Sequence, residues 1–184
     1  MSGRRAAFLD RDGVLNERPP PHEYVTDSAA LRVLPGAAEG AAALAAAGYA
    51  LVVVSNQRGV SRGLVSRETL DEIEALLQDA LAPAGASIEA FYYCPHGLDE
   101  GCDCRKPAPG LLLRAAAERG LDLAASILVG DTESDAAAAR AAGVRPVLLD
   151  ERVPDLAAAA RLLLLELDSS SQDAGDAASN NSRS

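Results

Sequence analysis

Short apolar segments alternate along this chain with longer segments in which apolar residues recur at helical spacing. The apolar segments cover residues 6–9, 49–54, 87–93, 126–129 and 146–149. We predict that each of them forms a β-strand. One of the longer segments carries an apolar face formed by Leu70, Ile73, Leu77 and Leu81. Alternating strands and helices indicate a mainly parallel sheet with helices on both faces, a Rossmann-like three-layer α/β sandwich.

Polar side chains follow three of these strands close to the point where each strand ends. Asp10 and Asp12 follow the first strand, and Ser55 follows the second. Asp131 follows the fourth strand after a single glycine. Ligands bind beyond the carboxyl ends of strands in parallel sheets, so we expect these side chains to share one crevice.

Two of these carboxylates suit a magnesium ion. Asp10 and Asp131 offer the oxygen ligands that Mg²⁺ prefers and leave room for water and a phosphate oxygen. Lys106 offers a fixed positive charge for the remaining phosphate oxygens, and Asp135 is placed to orient it by charge pairing. A structural alternative exists for each residue alone, since Lys106 could be solvated and Asp131 could cap a helix.

The same crevice contains the groups needed for phosphoryl transfer. Asp10 is free to attack phosphorus and form an aspartyl-phosphate. Asp12 can protonate the leaving alkoxide and then deprotonate the water that hydrolyses the intermediate. Ser55 contributes a hydroxyl, and the backbone near Asn56 contributes N–H groups, although Ser55 alone could be a turn residue.

Four short motifs occur in an order that resembles the signature of the haloacid dehalogenase superfamily. They are Phe8-Leu9-Asp10-Arg11-Asp12-Gly13, Ser55, Lys106 and Gly130-Asp131-x-x-x-Asp135. The resemblance implies a Rossmann-like fold, a Mg²⁺ cofactor, Asp10 as nucleophile and Asp12 as acid and base. It also implies that the backbone carbonyl of Asp12 is a metal ligand.

A short loop after the third predicted strand contains every cysteine of the chain. The candidate ligands are three thiolates and one imidazole, from Cys94, His96, Cys102 and Cys104. Four protein ligands suit a closed tetrahedral zinc site of structural type. Zn²⁺ would order this polar loop and hold Arg105 and Lys106 at the crevice. The alternative is three incidental thiols.

Further segments resemble the D-glycero-D-manno-heptose 1,7-bisphosphate 7-phosphatases, which are nearly capless and have a zinc loop. They are Asn56-Gln57-x-Gly59-Val60-Ser61-Arg62-Gly63, Tyr93-Cys94-Pro95-His96 and Cys104-Arg105-Lys106-Pro107-x-Pro109-Gly110. Histidinol-phosphate phosphatase is the first alternative, and a non-catalytic zinc-stapled binding protein is the second. Besides Asn56, the candidate contacts to the second phosphate or the sugar are Arg58, Arg62 and Arg105, although each arginine could be a surface charge.

Composition and charge limit the classes of binding partner that we expect for this chain. The net charge of −10 argues against nucleic acid, and we find no basic amphipathic segment for a membrane surface. Arg4 and Arg5 precede only four apolar residues, which does not suit a signal peptide, and clustered cysteines do not suit a disulfide framework. We expect a cytoplasmic monomer that acts on a small phosphorylated sugar.

The chain divides into one predicted domain and a tail. Residues 1–167 form the phosphatase-like domain, and residues 168–184 lack periodicity and are predicted to be disordered. Within the domain, the three prolines at 19–21 make a stiff loop that we expect to cover the strand ends.

Overall fold

The computed structural model describes residues 3–167 and shows five strands in one sheet. The strands are β1 (Ala6–Leu9), β2 (Ala50–Asn56), β3 (Ala90–Cys94), β4 (Ile127–Gly130) and β5 (Arg145–Leu148). Their order is β3-β2-β1-β4-β5, and every neighbouring pair is parallel. The predicted parallel α/β fold is confirmed. The tail predicted at 168–184 lies outside the described residues.

Four helices lie between successive strands, and a fifth follows β5. They are α1 (Ala37–Ala46), α2 (Arg67–Leu81), α3 (Gly110–Arg119), α4 (Glu133–Ala142) and α5 (residues 156–167). Single 3₁₀ turns occur at Ser28–Ala30 and Ala82–Ala84. Ser66 caps α2, because its hydroxyl accepts a hydrogen bond of 3.1 Å from the Thr69 N–H. None of the helices within 3–167 is long and apolar enough to cross a membrane.

Two hydrophobic cores form the inner surfaces of the three layers. Successive residues of a strand point to opposite faces, so Phe8 packs towards α3 and α4 while Leu9 packs towards α1, α2 and α5. All four residues of the predicted apolar face of α2 are buried, and Ile73, Leu77 and Leu81 belong to the core on the Leu9 side of the sheet. Helices α1 and α5 pack closely where the residue between them is a glycine. A Cβ at Gly40 in α1 would lie 2.4 Å from the carbonyl carbon of Leu156 in α5.

The third strand begins later than the apolar run suggests. The predicted strand starts at Ser87, whereas β3 starts at Ala90. The side-chain amide of Gln78 in α2 takes the place of a neighbouring strand, since it donates to the Ile88 carbonyl at 2.7 Å and accepts from the Ile88 N–H at 3.0 Å. Ile88 is therefore an apolar residue beside the sheet whose backbone is hydrogen-bonded to a side chain of α2.

The strand order brings the candidate site together. β1 lies at the centre of the sheet, between β2 and β4. Leu9, the last residue of β1, is level with Val53 of β2 and Val129 of β4. The polar residues that end these three strands therefore meet at one edge of the sheet, where the direction of the crossovers changes.

Candidate active site and metal-binding loop

Asp10 lies at the centre of this edge and is buried, with 6% of its surface exposed. Its N–H donates to the Val129 carbonyl at 2.9 Å, which continues the ladder between β1 and β4 by one residue. Ser55 of β2 is buried beside it, and Asp131 follows β4. The structure thus brings together the three strand-end side chains that the sequence places in one crevice.

Lys106 is buried against two carboxylates. Its ammonium nitrogen lies 2.9 Å from Asp10 Oδ1 and 2.5 Å from Asp135 Oδ1, and it donates to the Val54 carbonyl at 2.8 Å. Burial alone lowers the pKa of Lys106, but the charges of Asp10 and Asp135 outweigh it and raise that pKa above its ordinary value. Lys106 therefore carries a positive charge at neutral pH and faces Asp10.

The Asp12 carboxylate is held by three neighbouring side chains. Arg11 binds it with two hydrogen bonds of 2.9 and 3.0 Å, and Asn16 donates to it at 2.9 Å. Gln57 donates to it at 3.0 Å and also to the Ser55 hydroxyl at 3.1 Å. These bonds fix the direction of a carboxylate that the sequence predicts to be an acid and base, and they come from residues to which the sequence analysis gave no role.

Three carboxylates lie close enough to share a cation. Oxygens of Asp10, Asp131 and Asp135 all lie within 4.8 Å of one another. Burial and the neighbouring carboxylates raise the pKa of Asp131, although the guanidinium of Arg18 opposes this. Gly13 makes room for Asp131, since a Cβ at Gly13 would lie 1.9 Å from Asp131 Oδ2. The all-oxygen donor set fits Mg²⁺.

Arg18 supplies a positive charge at these oxygens. Its guanidinium forms an ion pair with both oxygens of Asp131, one of them through Nε at 2.8 Å, and its Nη2 lies 3.3 Å from the Asp12 carbonyl oxygen. A cation is thus seated where the sequence predicts a metal ion. The motifs in the sequence do not predict this role of Arg18, although the residue directly precedes the three prolines at 19–21.

Two adjoining cavities open from this edge. The inner cavity, of about 240 Å³, is lined by residues that include Asp10, Asp12, Ser55, Lys106 and Asp135. The outer cavity, of about 390 Å³, is lined by residues 18–25 on one side and by residues 56–58 with Arg105 on the other. The proline-rich loop therefore forms a wall of the outer cavity, beside the predicted active site.

The predicted substrate contacts occupy different places. Arg58 and Arg105 line the outer cavity. The side chain of Asn56 bonds to the main chain of Lys106 in both directions at 3.0 Å, and so fixes the position of the lysine. Arg62 is outside the lining of both cavities, and its guanidinium stacks 5.9 Å from the ring of Tyr24, which lines the outer one.

The cysteine-rich loop brings its four candidate ligands together. Ligand atoms of Cys94, His96, Cys102 and Cys104 lie within 4.8 Å of one another. The Cys94 and Cys102 sulfurs are 3.7 Å apart, close to the edge of about 3.8 Å expected for a tetrahedron with Zn–S bonds of about 2.3 Å. His96 presents Nδ1, which lies 3.1 Å from the sulfur of Cys104 and 3.6 Å from that of Cys94. The donor set fits Zn²⁺.

The three thiols have unequal acidities. Desolvation raises the pKa of Cys94, and desolvation together with the neighbouring thiols raises that of Cys104 to about 12. Desolvation also acts on Cys102, but the N–H of Arg105 and the other two thiols outweigh it and lower the pKa of Cys102 to about 7. A bound divalent cation would deprotonate these thiols, so zinc binding at this loop would release protons.

Comparison with known proteins identifies similar chains. Residues 103–161 match the family model described as HAD-hydrolase-like. The D-glycero-beta-D-manno-heptose-1,7-bisphosphate 7-phosphatase of Vibrio cholerae is 41% identical over 151 residues, which cover 78% of this chain and 80% of that protein. The enzyme of the same name from Pseudomonas putida is 38% identical over 173 residues, which cover 85% of this chain and 98% of that protein.

A solved structure resembles the whole described fold. The D,D-heptose 1,7-bisphosphate phosphatase of B. bronchiseptica, crystallised with magnesium and phosphate, superposes with a TM-score of 0.80 at 37% identity. The match covers 88% of this chain and 99% of that chain. The sequence comparisons and the structure comparison therefore point to the same group of enzymes.

Proposed function

This chain belongs to the family of D-glycero-D-manno-heptose 1,7-bisphosphate 7-phosphatases among the HAD-like hydrolases, and we propose that it hydrolyses the 7-phosphate of the β-anomer of that bisphosphate. This membership confirms the resemblance that the sequence motifs indicate. The relatives' names favour the heptose substrate over histidinol phosphate, and they specify the β-anomer. The observation that carries the proposal is the buried Lys106 bridging Asp10 and Asp135 at the strand ends.

We assign the nucleophile to Asp10. Its carboxylate attacks phosphorus, the bond from phosphorus to the sugar oxygen breaks, and the phosphoryl group passes to Asp10 as an aspartyl-phosphate. Lys106 holds one oxygen of this carboxylate at 2.9 Å, which orients the attack. Because Lys106 keeps its proton at neutral pH, it also neutralises negative charge that develops on the phosphoryl oxygens.

We assign the proton transfers to Asp12. It protonates the departing sugar oxygen, and in the second step it removes a proton from the water that attacks the aspartyl-phosphate. Phosphate then leaves and the Asp10 carboxylate is restored. The hydrogen bonds from Arg11, Asn16 and Gln57 aim the Asp12 carboxylate for both steps. Ser55 donates its hydroxyl to a phosphoryl oxygen beside them.

Magnesium would be held by the side chains of Asp10 and Asp131 and by the main-chain oxygen of Asp12. Bound there, Mg²⁺ supplies positive charge that stabilises the phosphoryl oxygens in the transition state. Zinc at the cysteine loop has a different part in the proposal. Four protein ligands leave no open position, so we assign it the structural task of holding Arg105 and Lys106.

The two cavities suit a substrate with two phosphates. The inner cavity takes the phosphate that is cleaved, and the outer cavity takes the sugar and the second phosphate. Arg58 and Arg105 face this second position, and guanidinium groups bind phosphate with paired hydrogen bonds. We assign Arg62 an indirect role, because it stacks against Tyr24, and Tyr24 lines the outer cavity.

The remaining expectations concern partners and location. We expect a monomer without nucleic-acid or membrane partners, given the net charge of −10. A cytoplasmic location agrees with cysteines that are free thiols and clustered as metal ligands.

The proposal is tested by measuring phosphate release from purified protein with Mg²⁺. The β-heptose 1,7-bisphosphate and histidinol phosphate are compared at equal concentration, with Asp10→Asn as the matched inactive variant. We expect a higher kcat/KM for the heptose substrate and no turnover by the variant. A higher kcat/KM for histidinol phosphate, or no release from either compound, would overturn the assignment.

A further inference from the structure

Arg18 binds the oxygens that the proposed function gives to the metal ion. The guanidinium contacts both oxygens of Asp131 and the main-chain oxygen of Asp12. Asp131 and Asp12 are two of the three residues assigned to Mg²⁺. The contact is therefore made with the metal ligands themselves, and from the side of the proline-rich loop.

Arg18 and a divalent cation cannot hold these oxygens at the same time. Nη2 of Arg18 contacts one oxygen of Asp131 and lies 3.3 Å from the main-chain oxygen of Asp12. It therefore occupies the position between these two oxygens that a metal ion bound to both would take. Two like charges brought this close would also repel each other. A metal ion must therefore displace the guanidinium from Asp131.

The surroundings limit where the displaced group can go. Arg18 precedes Pro19, which restricts the backbone of Arg18 to extended conformations. The guanidinium therefore leaves Asp131 by rotation of the Arg18 side chain. The side chain is 46% exposed and lines both cavities. Away from Asp131, the guanidinium has the outer cavity beside it.

The outer cavity is suited to an anionic group. Arg58 and Arg105 line it, and so do the carboxylates of Asp12 and Glu23. Asp12 is already bound by Arg11, Asn16 and Gln57. A third guanidinium from Arg18 would give this cavity an excess of positive charge, which suits a second phosphate.

We propose that Arg18 is a specificity-determining residue that Mg²⁺ releases from Asp131 and that then binds the second phosphate of the substrate. This inference rests on the proposed function for the identity of the substrate. The competition with metal does not depend on the substrate at all. Metal binding would therefore prepare the outer cavity for the bisphosphate.

The first test measures metal binding without turnover. Mn²⁺ is titrated into the metal-free site and free Mn²⁺ is followed by electron paramagnetic resonance, with wild type, Arg18→Ala and Arg18→Lys. We expect Arg18→Ala to bind Mn²⁺ about three- to tenfold more tightly, because a half-exposed competing cation is lost. Arg18→Lys, which keeps the charge without the fork, should lie between the two. An unchanged or weaker affinity in Arg18→Ala overturns the inference.

The second test compares the bisphosphate with the corresponding heptose 7-phosphate, which lacks the second phosphate. We expect Arg18→Ala to raise KM for the bisphosphate by about tenfold or more and to leave KM for the monophosphate nearly unchanged. Equal changes for both substrates overturn the inference. If wild type does not distinguish the two compounds while Arg18→Ala still binds Mn²⁺ more tightly, the proposed substrate is wrong and so is the specificity role.

The matched control removes an arginine from the opposite edge of the sheet. Arg4 precedes β1 and pairs with Glu89 at 2.9 Å, and its side chain is 58% exposed. Arg4→Ala changes the net charge by the same amount as Arg18→Ala. We expect it to leave Mn²⁺ affinity and both KM values unchanged. A shift equal to that of Arg18→Ala would show a general charge effect and overturn the inference.

Discussion

Lys106 and Asp135 form a buried ion pair of 2.5 Å that joins two distant parts of the chain. Lys106 follows the cysteine-rich loop, and Asp135 lies in the first turn of α4. Asp135 also accepts a hydrogen bond of 3.1 Å from the Thr132 N–H, which caps that helix. A single carboxylate thus fixes both the start of α4 and the charge that faces Asp10.

Loss of this charge should destabilise the fold as well as stop turnover. Lys106→Met leaves the carboxylates of Asp10 and Asp135 buried without their partner, and we expect it to lower the free energy of unfolding by about 3–5 kcal/mol. Urea unfolding at neutral pH measures the change. In the double variant with Asp135→Asn, the loss should be smaller than the sum of the two single losses. Simple additivity would contradict the coupling.

The stabilising contribution of Lys106 should depend on pH only in the alkaline range. The pKa of Lys106 is raised in the folded protein above its ordinary value of 10.5. The folded state therefore keeps a proton that the unfolded chain loses, and the contribution is complete below 10.5 and decreases as pH rises through the folded-state pKa. The difference between the unfolding free energies of wild type and Lys106→Met should hence stay constant from neutral pH to 10.5 and decrease above it. Convergence between neutral pH and 10.5 would contradict this account.

Gly13 should be required for the position of Asp131. Gly13 has φ of +96°, and a Cβ there would lie 1.9 Å from Asp131 Oδ2. We expect Gly13→Ala to weaken Mn²⁺ binding and turnover by at least about tenfold, and to cost roughly 1–3 kcal/mol of stability. Gly85→Ala is the matched control, because Gly85 has φ of +83° and no atom within 4 Å of its Cβ position. Equal metal affinities in the two variants would refute the steric argument.

Zinc removal should act on catalysis through Lys106. Cys102→Ser takes one of four ligands from the cysteine loop, so we expect loss of bound zinc, faster hydrogen exchange over residues 94–106 and lower turnover. Asp103→Ser, at an exposed position between the ligands, should keep zinc and activity. Full activity of Cys102→Ser in protein shown to lack zinc would contradict the structural role.

The sequence predicts the sheet and the meeting of Asp10, Ser55 and Asp131, because the carboxyl ends of parallel strands share one edge. It also predicts the pairing of Asp135 with Lys106 and the gathering of the cysteine ligands. The strand-end residues are predicted because their positions depend on backbone topology, and the cysteine ligands because they lie close together in the sequence. A residue that follows a buried strand directly has few positions open to it.

The contacts that the sequence does not predict depend on side-chain direction. Arg18 reaches Asp131 across 113 positions of the chain, and Gln57 reaches Asp12 across 45. Neither direction is fixed by a strand, since Arg18 and Gln57 lie in loops. Similarly, the side-chain amide of Gln78 forms two hydrogen bonds with the backbone of Ile88, and the pattern of apolar residues does not predict them.

The central claim is that Asp10 transfers the phosphoryl group from position 7 of the β-heptose 1,7-bisphosphate. Phosphorus-31 NMR of the reaction with Mg²⁺ tests it directly, since it resolves the two phosphates of the substrate from inorganic phosphate. We predict that the 7-phosphate signal disappears, that the inorganic phosphate signal grows and that the 1-phosphate signal persists. Correctly folded Asp10→Asn should leave the 7-phosphate signal in place and produce no inorganic phosphate. Loss of the 1-phosphate, or turnover by Asp10→Asn at the wild-type rate, would contradict the account.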